Sequence, residues 1–289
     1  MLRKRLIASF FMITPVLIVM WLDTRVHFDH PGIWSIPIIT LASVVIASEL
    51  MAMTRERTVG ATPWAAYLGC VLCNLAVVTP ELVGVTDRWL AVSFALCIAL
   101  GAAFGNELLR FDGERPATKR IALTMLVVLY SGWLLCFLTS TRIELGNESG
   151  MLALFSILFI IKMSDAGAYF VGKNLGKNKL APLLSPGKTI EGLFGGIAAA
   201  VLAAWLVFAI IQPQVLPVSN VNWPAVFGYA VSICLCGVVG DLSESLIKRD
   251  MGCKDSSGWL PGLGGIMDTA DSVLFAAPVA YLWWSTGLL

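Results

Sequence analysis

The apolar run is the feature of this sequence that most restricts its fold. Nine stretches, about 5–22, 33–52, 62–80, 89–109, 120–140, 151–172, 192–212, 224–241 and 271–288, are apolar nearly throughout. A helix needs about 20 such residues to cross the hydrocarbon of a bilayer. Composition points the same way. The chain is 57% hydrophobic and 13% charged, whereas a soluble domain is roughly 25% charged. Such a chain cannot cover its surface with polar groups, so lipid must do it. An all-α polytopic membrane protein of about nine transmembrane helices is the expected fold. The net charge of +1 provides no bulk basic field, which excludes nucleic acid as a partner and leaves the bilayer.

Loop charge orients the spans. With the N-terminus in the cytoplasm, sixteen basic residues fall in cytoplasmic segments: Arg3, Lys4, Arg5, Arg55, Arg57, Arg110, Arg115, Lys119, Arg120, Lys173, Lys177, Lys179, Lys188, Lys248, Arg249 and Lys254. The opposite side holds only Arg25, Arg88 and Arg142, and Lys162 lies within a span. That asymmetry is the positive-inside bias, and it puts the C-terminus on the opposite side. The first stretch follows a basic N-terminus as a signal peptide would. It has no small-x-small cleavage site near its end and runs on to Trp21 and Leu22, so it reads as a helix. Six of the seven cysteines lie in apolar runs, where cysteine packs as a small hydrophobe. His27 and His30 share one short loop, too few for a metal site. Residues 1–150 form an N-terminal set of about five spans. Residues 151–289 form a C-terminal region with two long, glycine-rich cytoplasmic segments, 173–191 and 242–270, where chemistry is expected.

The first polar constellation is Asp165-Ala-Gly-Ala-Tyr169, Gly172-Lys173-Asn-Leu-Gly176-Lys177 and Ser185-Pro-Gly-Lys188-Thr189-Ile-Glu191-Gly192. Lys162 and Asp165 are three apart on one helical face, where each can neutralise the other. Ser-Pro-Gly-Lys-Thr looks like the tail of a phosphate-binding loop, but no strand precedes it and the leading glycine spacing fails, which rules out a Walker fold. Two readings stand: a connecting loop made soluble by lysines, or a phosphate cradle of small residues with Lys188 supplying charge. In the second constellation Asp241, Glu244, Ser245, Lys248 and Arg249 share a single helix face. Lys254-Asp255, the loop Pro261-Gly-Leu-Gly264-Gly265, and Asp268-Thr-Ala-Asp271 follow. Carboxylates at a membrane boundary are costly unless something positive joins them. Asp241, Asp268 and Asp271 could converge on Mg²⁺, which takes one or two carboxylates plus substrate phosphate.

Ser245-x-Ile247-Lys248-Arg249-x4-Lys254-Asp255-x-Ser257-x2-Leu260-Pro261-x-Leu263-Gly264-Gly265-Ile266-x-Asp268-Thr269-Ala270-Asp271 closely resembles the signature of the phosphatidate cytidylyltransferase (CDP-diacylglycerol synthase) family. The pattern from Asp165 to Gly192 resembles that family too, so the likeness covers about 165–275. Leu263 and Thr269 stand where the family usually has His and Arg.

The resemblance implies an enzyme that transfers CMP from CTP to phosphatidic acid, giving CDP-diacylglycerol and pyrophosphate. It implies a divalent cation, Mg²⁺, held by Asp241, Asp268 and Asp271. Lys188, Lys248, Arg249 and Lys254 would hold the phosphates, Asp255 would stand with Asp241, Asp268, Lys248, Arg249 and Lys254 as catalytic residues, and Ser185, Thr189, Glu191, Asp165, Glu244, Ser245, Gly264 and Gly265 would form the rest of the site. The expected location is a bacterial inner (cytoplasmic) membrane with the site facing the cytoplasm, and a homodimer is compatible with it. A CTP-dependent polyprenol kinase, a transporter and an inactive assembly partner are the rival readings. A transporter is expected to place its charges near the bilayer midplane.

Overall fold

A computed structural model of the chain describes residues 2–26, 30–57, 60–80, 87–114, 116–216, 220–258 and 264–289, with the side chains of 2–13 and 56–57 excepted. Pro261, Gly262 and Leu263 lie outside the described residues, as do His27 and Arg115. The helices are α1 (Leu2–Arg25), α2 (Ser35–Arg57), α3 (Pro63–Ala76), α4 (Arg88–Arg110), α5 (Ala117–Glu144), α6 (Asn147–Leu175), α7 (Ile190–Val215), α8 (Trp223–Asp250) and α9 (Met267–Ser285). Each expected apolar stretch falls on one of them. Among the described residues, six are long and apolar enough to cross a membrane: α2, α4, α5, α6, α7 and α8. Helix α3 is shorter than its stretch, at 14 residues.

The ends of the helices follow from local chemistry. Asp87 caps α4 by accepting from the N–H groups of Trp89 and Leu90 at 2.9 and 3.3 Å. Pro63 opens α3, where a missing N–H costs nothing. Thr189 caps α7 through its Oγ1, which accepts from Gly192 N at 3.0 Å. Two helices widen into π turns within their spans, α5 at Val128–Trp133 and α7 at Val207–Ile211.

The chain forms two compact units, one of residues 1–140 with 250–269 and one of 141–249 with 270–289. Segment 250–269, grouped with the C-terminal region on sequence order, therefore folds with the N-terminal helices. In the first unit small residues let helices meet. A Cβ on Gly69 would strike the side chains of Val128 and Ala99, and one on Gly132 would lie 2.8 Å from Cys70 Cα. In the second unit α6 and α7 approach through Gly167, Gly195 and Gly196, in the manner of small-residue packing in membranes. Large apolar side chains stay exposed along the spans, Phe94 at 62%, Ile98 at 52% and Leu202 at 52% among them. Singly such residues are ordinary, but in bands along apolar helices they are the surface that lipid covers.

One element departs from the expected all-α chain. Segment 173–191 contains a short antiparallel hairpin, β1 (Lys179–Ala181) with β2 (Ser185–Thr189), pairing Lys179 with Thr189 and Ala181 with Ser185. Its second strand leads directly into α7.

Candidate active site

In the second unit the end of α6, the hairpin, the start of α7 and the middle of α8 enclose a cleft of about 700 Å³, lined by Asp165, Tyr169, Lys173, Ser185, Lys188, Thr189 and Asp241 among others. Its walls are built by close packing. A Cβ on Gly172 would lie 2.9 Å from Thr189 Oγ1, and a Cβ on Gly192 would be equally close to the Ala168 carbonyl. These glycines serve helix packing. Gly187, by contrast, has open space around it, so in Ser185-Pro-Gly-Lys-Thr the exposed backbone is at the hairpin strand.

Three carboxylates stand together beside this cleft: Asp241 and Glu244 on α8 and Asp271 on α9, with ligand oxygens all within 4.8 Å of one another. The spacing of three places the first two on one face of α8. Gly240 brings the third close, because the main chain of Asp271 occupies the space that a Cβ at 240 would need. Two lysines compensate the cluster. Lys188 Nζ is 2.8 Å from Asp241 Oδ2 and Lys248 Nζ is 2.7 Å from Glu244 Oε2. The two pairs differ in setting. The side chain of Asp241 is 34% exposed and that of Glu244 2%. Ser245 Oγ reaches Asp241 Oδ1 at 3.5 Å, and Ser272 N donates to Asp271 Oδ1 at 2.6 Å.

The surrounding residues are placed as follows. Lys162 Nζ and Asp165 Oδ2 are 3.7 Å apart, as their spacing suggests. Lys173 Nζ lies 5.6 Å from the Tyr169 ring centroid, a cation–π contact. Glu191 turns to the hairpin and accepts from Lys177 N, Asn178 N and Asn178 Nδ2, which fixes the entry of the chain into β1. Arg249 Nε donates to the Leu184 carbonyl at 3.3 Å, tying the tip of the hairpin to α8.

Asp268, the other expected ligand, belongs to the first unit. Its Oδ2 accepts from Ser256 N at 2.8 Å and Gly265 N at 2.8 Å, and shares the single Ser256 hydroxyl proton, with Oγ at 2.7 Å, with Glu49. Gly264 sits against this carboxylate with φ +87°, a conformation that only glycine adopts without strain. Lys254 and Asp255 are exposed. Thr269, in the place of the family's arginine, donates its hydroxyl to the Gly265 carbonyl at 3.2 Å.

One residue escaped the sequence reading. Glu49 in α2 is 5% exposed and accepts four hydrogen bonds, from Ser256 Oγ, Ser257 Oγ, Ile266 N and Met267 N at 2.8–3.1 Å. Burying a carboxylate costs several kcal/mol after relaxation. Hydrogen bonds to a charged group are worth about 1.5–3 kcal/mol each, so four of them can hold it. The signal was present: Glu49 is an acid inside the apolar run 33–52, and an ionisable group in such a run calls for a partner.

These elements define an integral membrane protein that carries a lysine-compensated carboxylate cluster beside a cleft. The chain belongs to the cytidylyltransferase family, whose profile matches residues 3–286. It is 40% identical over 158 residues to the phosphatidate cytidylyltransferase of Bacillus subtilis (strain 168), an alignment covering 54% of this chain and 55% of that protein. Against the phosphatidate cytidylyltransferase of Thermotoga maritima the identity is 31% over 164 residues, covering 57% and 59%. Against that of Haemophilus influenzae it is 37% over 129 residues, covering 45% and 44%. The chain thus spans about half the length of the curated relatives it matches.

Proposed function

We propose that this protein is a phosphatidate cytidylyltransferase. The observation that carries the reading is the trio Asp241, Glu244 and Asp271, compensated by Lys188 and Lys248 beside a polar cleft, in a chain of the cytidylyltransferase family. The names of the relatives supply the substrate class.

In the proposed reaction a phosphate oxygen of phosphatidic acid attacks the α-phosphorus of CTP. The bond from that phosphorus to the bridging oxygen breaks, and pyrophosphate leaves. The nucleophile is already anionic, so the protein must align two polyanions and offset their charge. Lys188 is suited to this because its partner is partly exposed: it can exchange the Asp241 carboxylate for a phosphate oxygen. Lys248 holds the charge of Glu244 at the base of the cluster. Arg249 spends Nε on Leu184, so any bidentate phosphate contact would use its two Nη atoms. Hard oxygen donors this close together suit Mg²⁺, and Asp241, Glu244 and Asp271 would hold it. A bound cation would neutralise phosphate oxygens.

The nine-span topology, with the N-terminus and the site on the cytoplasmic side of a bacterial inner membrane, belongs to the same proposal. It is supported by the coincidence of each apolar stretch with a helix and by the sixteen-to-three distribution of basic residues. A homodimer is compatible with this reading, and the mass of the detergent-solubilised protein checks it. In a cysteine-free background, Lys254→Cys should react with an impermeant thiol reagent from the cytoplasmic side only, and Asn220→Cys from the other side only. Labelling of both from one side overturns the topology.

The activity is tested with purified protein, phosphatidic acid, Mg²⁺ and CTP labelled at the α-phosphate. Label is expected in the lipid phase, with pyrophosphate in the water. Label left in soluble CDP, with an unlabelled lipid product, would indicate a kinase and overturn the proposal.

A further inference from the structure

We infer that Glu49 is a positioning residue for the transfer, a carboxylate on α2 that clamps both ends of segment 256–267. The inference rests on the proposed function and deepens it. The four donors divide evenly between the two oxygens. Oε1 takes Ser257 Oγ at 2.8 Å and Ile266 N at 3.1 Å, and Oε2 takes Ser256 Oγ at 3.0 Å and Met267 N at 2.8 Å. Each oxygen therefore joins the beginning of the segment to its end. Gly265 lies directly over the clamp, where a Cβ would run into Ser256 Oγ and both Glu49 oxygens.

Candidate site residues flank the clamped segment on both sides. Lys254 and Asp255 stand immediately before it and Asp268 immediately after. Ser256 Oγ lies within hydrogen-bond distance of both Glu49 Oε2 and Asp268 Oδ2. The position of the signature aspartate is thus coupled to Glu49 through one hydroxyl. Glu49 acts through this segment and need not touch substrate.

The chemistry requires a carboxylate of this length. A glutamine would present an NH₂ group to one serine hydroxyl and one main-chain N–H. The hydroxyl can rotate and accept, but the N–H cannot. An aspartate is one methylene too short to reach donors from both ends of the segment. Of the ordinary side chains at this site, only glutamate offers two acceptor oxygens at the right distance.

The test uses full-length protein in nanodiscs, with Glu49→Gln and the double variant Ser256→Ala/Ser257→Ala. Two quantities are read: amide hydrogen exchange across the chain, and kcat and KM for CTP in CMP transfer. Glu49→Gln is expected to speed exchange of amides 256–267 about tenfold or more while leaving α6–α8 unchanged. It should lower kcat by about 10- to 100-fold, the scale for losing a group that orients a site residue, with KM for CTP little altered. The serine double variant keeps both main-chain donors and should fall between wild type and Glu49→Gln in both readouts. It also carries the test if Glu49→Gln does not fold. Exchange that rises uniformly along the chain, or kcat that stays at the wild-type level, overturns the inference. If the wild type transfers no CMP, the proposed function fails, and the exchange measurement still decides whether the clamp exists.

Discussion

Among the described residues, two groups of buried and half-buried acids in the candidate site regions are stabilised by opposite means. Asp241 and Glu244 in the second unit are neutralised by lysines. Glu49 and Asp268 in the first unit are held by main-chain N–H groups and serine hydroxyls. A lysine on a flexible stem can release one anion and take another. A main-chain N–H cannot leave without unfolding its segment. The first arrangement suits an exchangeable polyanion and the second suits a fixed shape, so within one membrane protein the partner of a carboxylate distinguishes chemistry from scaffolding.

The largest effect expected from this contrast is at Asp241. Asp241→Asn keeps volume and removes charge, and should lower CMP transfer by at least about 10²-fold, the scale for one preorganised electrostatic contact. Size in detergent and exchange of amides 256–267 should stay unchanged. Asp268→Asn should also impair transfer severely, but with faster exchange of amides 256–267, because a neutral amide oxygen in the place of Oδ2 accepts the three donors more weakly than a carboxylate oxygen does. If the two variants show the same exchange pattern, the distinction fails.

The lysines sharpen the comparison. Lys188→Ala and Lys248→Ala should both depress transfer, whereas Lys119→Ala, a marker of orientation only, should not. Their stabilities should differ. Glu244 is almost fully buried, and removing one partner of a buried pair costs about 3–5 kcal/mol. Asp241 is a third exposed, and a pair so hydrated is worth about 1 kcal/mol or less. Thermal unfolding should therefore move substantially in Lys248→Ala and little in Lys188→Ala. Equal shifts would show that exposure does not separate the two pairs.

The smallest effect is expected where the chain departs from the family signature. Thr269 is integrated into its own segment through the Gly265 carbonyl. Wild-type protein should therefore be active, and Leu263→His/Thr269→Arg should change its rate modestly. An inactive wild type with a strongly active double variant would show a lapsed site.

Much of this was legible in the sequence, for reasons that particular residues make plain. Apolar runs located the helices, and the i, i+3 spacing of Asp241 and Glu244 put both acids on one face. The hairpin was hidden because Pro186 and Gly187 argue against a strand, and only the capping of α7 by Thr189 shows why the chain is extended there. The π turns of α5 and α7 left no mark, since one extra residue in a turn does not alter an apolar run. Glu49 was passed over because its four donors lie more than 200 positions away in sequence, and local spacing carries no information about such a partner.

The contact of Gly240 with the Asp271 main chain has a bearing on ion size. Where side chains alone set the distance between carboxylates, rotamers can adapt and ions of different radius can be accommodated. Here backbone meets backbone, so the separation of α8 and α9 at the cluster is fixed by the absence of a single methyl group. Mg²⁺ demands short, regular oxygen distances, while Ca²⁺ accepts longer and looser ones. If the cluster holds a cation as proposed, Gly240→Ala, by wedging the helices apart, is expected to shift its preference from the smaller cation toward the larger.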